Sequence, residues 1–259
     1  MIFLDFLEKV KSLVTPEKVF TYALKVPMVK INRREFLLKN FSKGESHNTI
    51  KEILASSPAQ AGITKLRLRK VAEESIKYER SWVTAKSAAT GLGGSTPVTI
   101  AGAVIADLGN NLAHEMRIIQ KLAYIYGWPD IFNIDKDMDE ESKNIILLFL
   151  GVMICVDGAS EMLLKVSRYF GKNISKKILQ KAISKTAWYP LLKKICALVF
   201  VKLTKKALAN AVEKGIPLVA VVLSGAMTYN AFSKEANNLR VFLETNPYHS
   251  YDDYEWCIE

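Results

Sequence analysis

Cysteine is scarce: Cys155, Cys196 and Cys257 are the three thiols in 259 residues, and none has the paired spacing that a zinc site or redox couple needs. That excludes a disulfide framework and points to unpaired thiols in a reducing compartment, with Cys155 and Cys196 serving as small core hydrophobes. The opening stretch is not expected to act as a secretory leader. The opening MIFLDFLEKVKSLV is broken by Asp5, Glu8, Lys9 and Lys11, so it reads as an amphipathic helix with Ile2, Phe3, Phe6, Leu7, Val10 and Leu13 on its apolar side. No run makes a good membrane span. Residues 145–166 meet Asp157 well short of the roughly 20 apolar residues required, and the uncharged run from Gly215 to Ser233 carries Pro217, Ser224, Thr228, Tyr229 and Asn230. Both read as buried helices.

Catalytic signatures are absent as well. GLGG at residues 91–94 has no following Lys-Ser/Thr and no preceding strand, which excludes a phosphate loop and leaves a dinucleotide fingerprint without its context. NIDKDMDEES alternates Asp135, Asp137 and Asp139 like a calcium loop. Counting from Asp135, however, the sixth and twelfth places hold Glu140 and Ile146, where Gly and Glu are required, so this is a solvated linker. No cofactor is expected.

What the chain has in excess is positive charge: +10 at pH 7. Acid is missing altogether from Leu163 to Val212, and every charged residue there is basic, from Lys165 and Arg168 to Lys202, Lys205 and Lys206. Lys172, Lys176, Lys177, Lys181 and Lys185 lie largely opposite Ile174, Ile178 and Ile183. Trp188 closes this segment, and Lys193 and Lys194 follow. Lysines ending in an aromatic suit an interfacial helix on anionic lipid. Nucleic acid is disfavoured because it calls for arginine with interleaved aromatics. The expected partner is an anionic membrane surface or a membrane protein. Lys65, Arg67, Arg69 and Lys70 open another helix against its dipole, which reads either as a solvated face or as service to a partner. The last stretch, NPYHSYDDYEWCIE, is acidic and aromatic, opposite in sign to the basic segment.

The rest of the chain is organised around residues 81–132. Gly91, Gly93 and Gly94 suggest a tight turn, after which Ser95 or Thr96 caps a helix begun by Pro97 and stopped by Gly127 and Pro129. Ile100, Val104, Leu108 and Leu112 make its apolar stripe. Another face carries Asp107, Asn111, His114 and Glu115. Asp157 and Glu161 repeat a carboxylate pair on a second apolar helix, and Asn230 is expected against the central polar row. Buried carboxylates demand partners. These six residues, Asp107, Asn111, His114, Glu115, Asp157 and Glu161, are either a structural network paired with groups such as Arg117, or the ligands of a hard metal in a helical core.

GLGGSTP, Asp107 eight residues before Glu115, RIIQKLAYIYGWPDIF and the closing GIPLVAVVLSGAMTYNAFSKEANNLRVFLE together resemble the EcsC-like family. The resemblance frames residues 60–244. It implies a mostly helical bacterial protein with no established chemical activity, some members being encoded beside an ABC transporter. Val219 to Leu223 departs from the extra glycine expected there.

The expected architecture is all-α, a multi-helix bundle with a glycine-rich central helix pair. One domain would cover residues 1–245, with 1–80 packed on it, and 246–259 would be a tail. The expected function is non-enzymatic: a cytoplasmic, membrane-peripheral binding or accessory protein whose basic surface meets anionic lipid or a membrane protein. A metal-dependent hydrolase at the polar row is the alternative, and a toxin-immunity or defence accessory factor a second.

Overall fold

Thr15 and Pro16 start a helix as their types dictate. The Thr15 hydroxyl accepts from the Lys18 amide, and Pro16 occupies the first turn, where its missing N–H costs nothing. The computed structural model describes residues 9, 12–27, 29–89, 96–128, 140–170, 190–191, 193–199, 201 and 219–247. In chain order its helices are α1 (Pro16–Lys25), α2 (Arg33–Phe41), α3 (His47–Ala55), α4 (Lys65–Ala89), α5 (Pro97–Ile125), α6 (Glu140–Met153), α7 (Ala159–Phe170) and α8 (Val219–Thr245), with residues 193–199 also helical. The fold is all-α, with no strand among the described residues. Asn32 caps α2 and Ser46 caps α3, each accepting from the amide three residues on.

The chain divides into two units. One comprises Met1–Val29, Lys77–Arg117 and Ala197–Lys234; the other comprises Lys30–Ile76, Ile118–Cys196 and Glu235–Glu259.

In the first unit α1 lies against α5. A Cβ on Gly109 would sit 2.4 Å from the Tyr22 ring, so this glycine allows the close approach. Ala101, Val104, Leu108 and Leu112 are buried on α5, whereas Gly102 is exposed with open space about it. Glycine packing on α5 is therefore a matter of Gly109 rather than Gly102. The proposed Gly91, Gly93 and Gly94 turn lies outside the described residues.

The second unit is built around the carboxyl half of α5. Ile118, Ile119, Leu122, Ala123, Tyr124 and Ile125 are all fully buried, as expected for a helix apolar on every side. Gln120 is buried among them, and its Oε1 accepts from the Ile31 amide at 2.9 Å, which removes two buried orphans at once. The helix stops where Gly127 adopts φ +83°, and the Trp128 amide returns to the Ala123 carbonyl at 2.8 Å. Trp128 then packs edge-on to Phe149 of α6 at 5.4 Å and against Phe242 of α8 at 6.4 Å.

Three expectations are corrected in this unit. Residues 145–166 are not one helix: α6 ends at Met153, and a turn containing Cys155 at φ +56° and Gly158 at φ +83° precedes α7. Cys155 is consequently exposed rather than a core hydrophobe, and Asn238 of α8 donates to both its Sγ and the Met153 carbonyl. Arg67 and Arg69 are not spare bases. Arg67 pairs with Glu45, donates to the carbonyls of Phe41 at the end of α2 and of Lys43 just past it, and lies over the Phe41 ring, while Arg69 pairs with Glu244.

Tyr126 is buried beside that Arg69–Glu244 pair. Burial first, and the Glu244 carboxylate second, push its phenol up to about 12. The folded form therefore holds a proton that the unfolded chain releases near pH 10. Stability should fall as pH rises from about 10 toward about 12, and Tyr126→Phe should remove that part of the decline. Chemical denaturation of both proteins across this range would show it.

Candidate functional site

The polar face of α5 meets a residue that sequence reasoning passed over. Glu79 of α4 has a fully buried side chain, with Ile76 and Val83 buried on the same helix face. Taking a carboxylate out of water costs several kcal/mol unless it is paired and hydrogen-bonded. Two α5 side chains supply the partners. His114 Nδ1 lies 2.7 Å from Glu79 Oε2, and Arg117 Nε donates to Oε1 at 3.0 Å and to Oε2 at 3.2 Å. An ionised carboxylate only accepts, so Nδ1 carries the proton in this contact. The ring is then held in one tautomer with Nε2 directed elsewhere.

His114 and Arg117 line a cleft of about 90 Å³ with Tyr78, Glu79, Trp82, Ala113, Val26 and Pro27, all within the first unit. Trp82 and Tyr78 stand at this cleft 46% and 49% exposed, their rings 6.4 Å apart in an edge contact. Most of the wall is apolar or aromatic, and its polar groups converge from α4 and α5.

The other residues of the expected constellation do not join this group. Asn111 is buried and bonds back to the Asp107 carbonyl at 3.0 Å, one turn earlier in the same helix; Asp107 is half-buried, and Glu115 is buried. Asp157 and Glu161 belong to the second unit. Both are exposed, so the expectation of a second buried carboxylate pair is overturned. Asp157 sits in the turn before α7, and Glu161 bonds Lys165 at 2.6 Å, which holds its carboxyl below the usual range. Asn230, expected against the polar row, is exposed. Among the described residues no group of three or more His, Cys, Asp or Glu is placed to hold a metal ion.

For the basic segment, Lys172, Lys176, Lys177, Lys181, Lys185 and Trp188 lie outside the described residues, as do 248–259 of the acidic tail. Lys193 and Lys194 are described, and both are exposed. Ile195 and Val199 of the same helical stretch are buried, while Leu198 is 43% exposed. Val201, a little further on, is 47% exposed. Among the described residues no helix is long and apolar enough to cross a membrane. No protein family, curated protein or solved structure matches the chain.

Proposed function

We propose that the protein works by binding, as a peripheral component at the inner face of a bacterial cell membrane, where its basic segment meets anionic lipid. The EcsC-like resemblance belongs to this proposal and supplies its bacterial, membrane-adjacent setting. The observation that carries it is the helical stretch 193–199, which buries Ile195 and Val199 while exposing Lys194 and Leu198. Buried residues fix the stretch to the fold. Its exposed residues combine an ammonium group with an apolar side chain, the combination that an anionic interface accepts, since lysine stems can lie along apolar surface with their heads at the lipid phosphates. The wholly basic run from Leu163 to Val212 extends the same charge along the sequence.

Each lysine close to an anionic surface contributes about 1 kcal/mol. Reversing one charge in Lys194→Glu should therefore lower partitioning onto vesicles of phosphatidylglycerol and phosphatidylcholine by roughly 30-fold. Sedimentation with the vesicles measures this. The Lys194 side chain is exposed, so the helical circular dichroism should stay unchanged. Unaltered partitioning would refute the assignment of this surface.

A further inference from the structure

We propose that the cleft between α4 and α5 binds a small neutral molecule with a flat apolar body and one O–H or N–H donor, a phenol-like compound being the simplest. The ligand's character follows from what the cleft offers. Glu79 is fully buried, and its charge is matched by Arg117, so it does not present a free anion to attract a cation. Nδ1 of His114 is committed to Glu79 at 2.7 Å, so in the imidazole form of the ring Nε2 is the acceptor. No described residue hydrogen-bonds Nε2.

An acceptor held in one orientation by a buried carboxylate, at the edge of an apolar cleft, selects a donor. The space of about 90 Å³ is smaller than the closed cavity of about 150 Å³ that holds benzene, so a single ring would enter only in part, donor end first. Trp82 and Tyr78, two large aromatics left half-exposed beside each other, supply ring faces for whatever part of the ligand stands outside. Specificity would come from His114 and contact area from Trp82.

The test is a titration of the full chain with phenol, followed by the side-chain ¹⁵N shifts of its histidines, with His47 and His249 as internal references and toluene as the shape match without a donor. The expected result is a saturable shift of His114 Nε2 with phenol and binding of toluene weaker by roughly three- to tenfold, the worth of one hydrogen bond. Trp82→Ala, an exposed position whose loss leaves the fold intact, should weaken phenol by a similar roughly three- to tenfold. An absent or non-saturating phenol shift, an equal response to toluene, or an unchanged response in Trp82→Ala would each overturn the assignment.

Discussion

Glu79→Ala should lower stability by about 3–5 kcal/mol, the cost of removing one partner from a buried ion pair. Its side chain is 0% exposed, and Arg117 and His114, 11% and 9% exposed, both aim at its carboxylate. Alanine would leave a guanidinium in a site built to neutralise it and would free the imidazole to change tautomer. Against a total stability of about 5–15 kcal/mol, this is a large share. For a chain of this size it corresponds to a fall in melting temperature of roughly 6–20 °C. Adding Arg117→Met should restore part of the loss, because the double variant buries no unpaired charge. Thermal melts of the single and double variants would check both statements. A single-variant loss below about 1 kcal/mol would mean that the network does not hold the two helices together.

Trp128→Ala should cost about 3–5 kcal/mol as well, by a different cause. The indole is buried, meets Phe149 at 5.4 Å and Phe242 at 6.4 Å, and donates Nε1 to the Asn246 carbonyl at 3.3 Å. Truncation removes apolar contact from α6 and α8 and leaves a void that close-packed neighbours fill only in part. Trp128→Phe should recover most of the packing and lose chiefly the hydrogen bond, about 1 kcal/mol. Denaturant titration would separate the two variants by their midpoints. Equal losses in both would shift the weight from packing to the Asn246 contact.

What could be read from the chain beforehand was local. Thr15 before Pro16, Asn32 before Arg33, and Thr96 before Pro97 announce helix starts because a side-chain oxygen and a preset φ act within one turn. Gly127 marks a stop for the same reason. Asp157–Gly158 is a turn signal inside an otherwise apolar stretch, and the turn leaves Asp157 and Glu161 exposed where a buried pair was expected.

Partnerships at long range were less legible. His114 stood out as the imidazole on an apolar helix, yet its partner lies 35 residues away on another helix. The clue to Glu79 was its register: three residues after Ile76 and four before Val83, it occupies the buried face of α4, where an acid must have a partner. Arg67 and Arg69 misled in the opposite sense, since their order against the helix dipole is explained by Glu45 and Glu244, neither of which their own helix contains.

Flotation of the full chain with liposomes, with and without phosphatidylglycerol and at low and high salt, tests the membrane-binding proposal most directly. The basic segment predicts that the protein floats with anionic vesicles at about 0.05 M salt and is released at about 0.5 M, because screening shortens the reach of its charges from above 10 Å to a few ångströms. Floating equally with neutral vesicles, or with none at any salt, would contradict it.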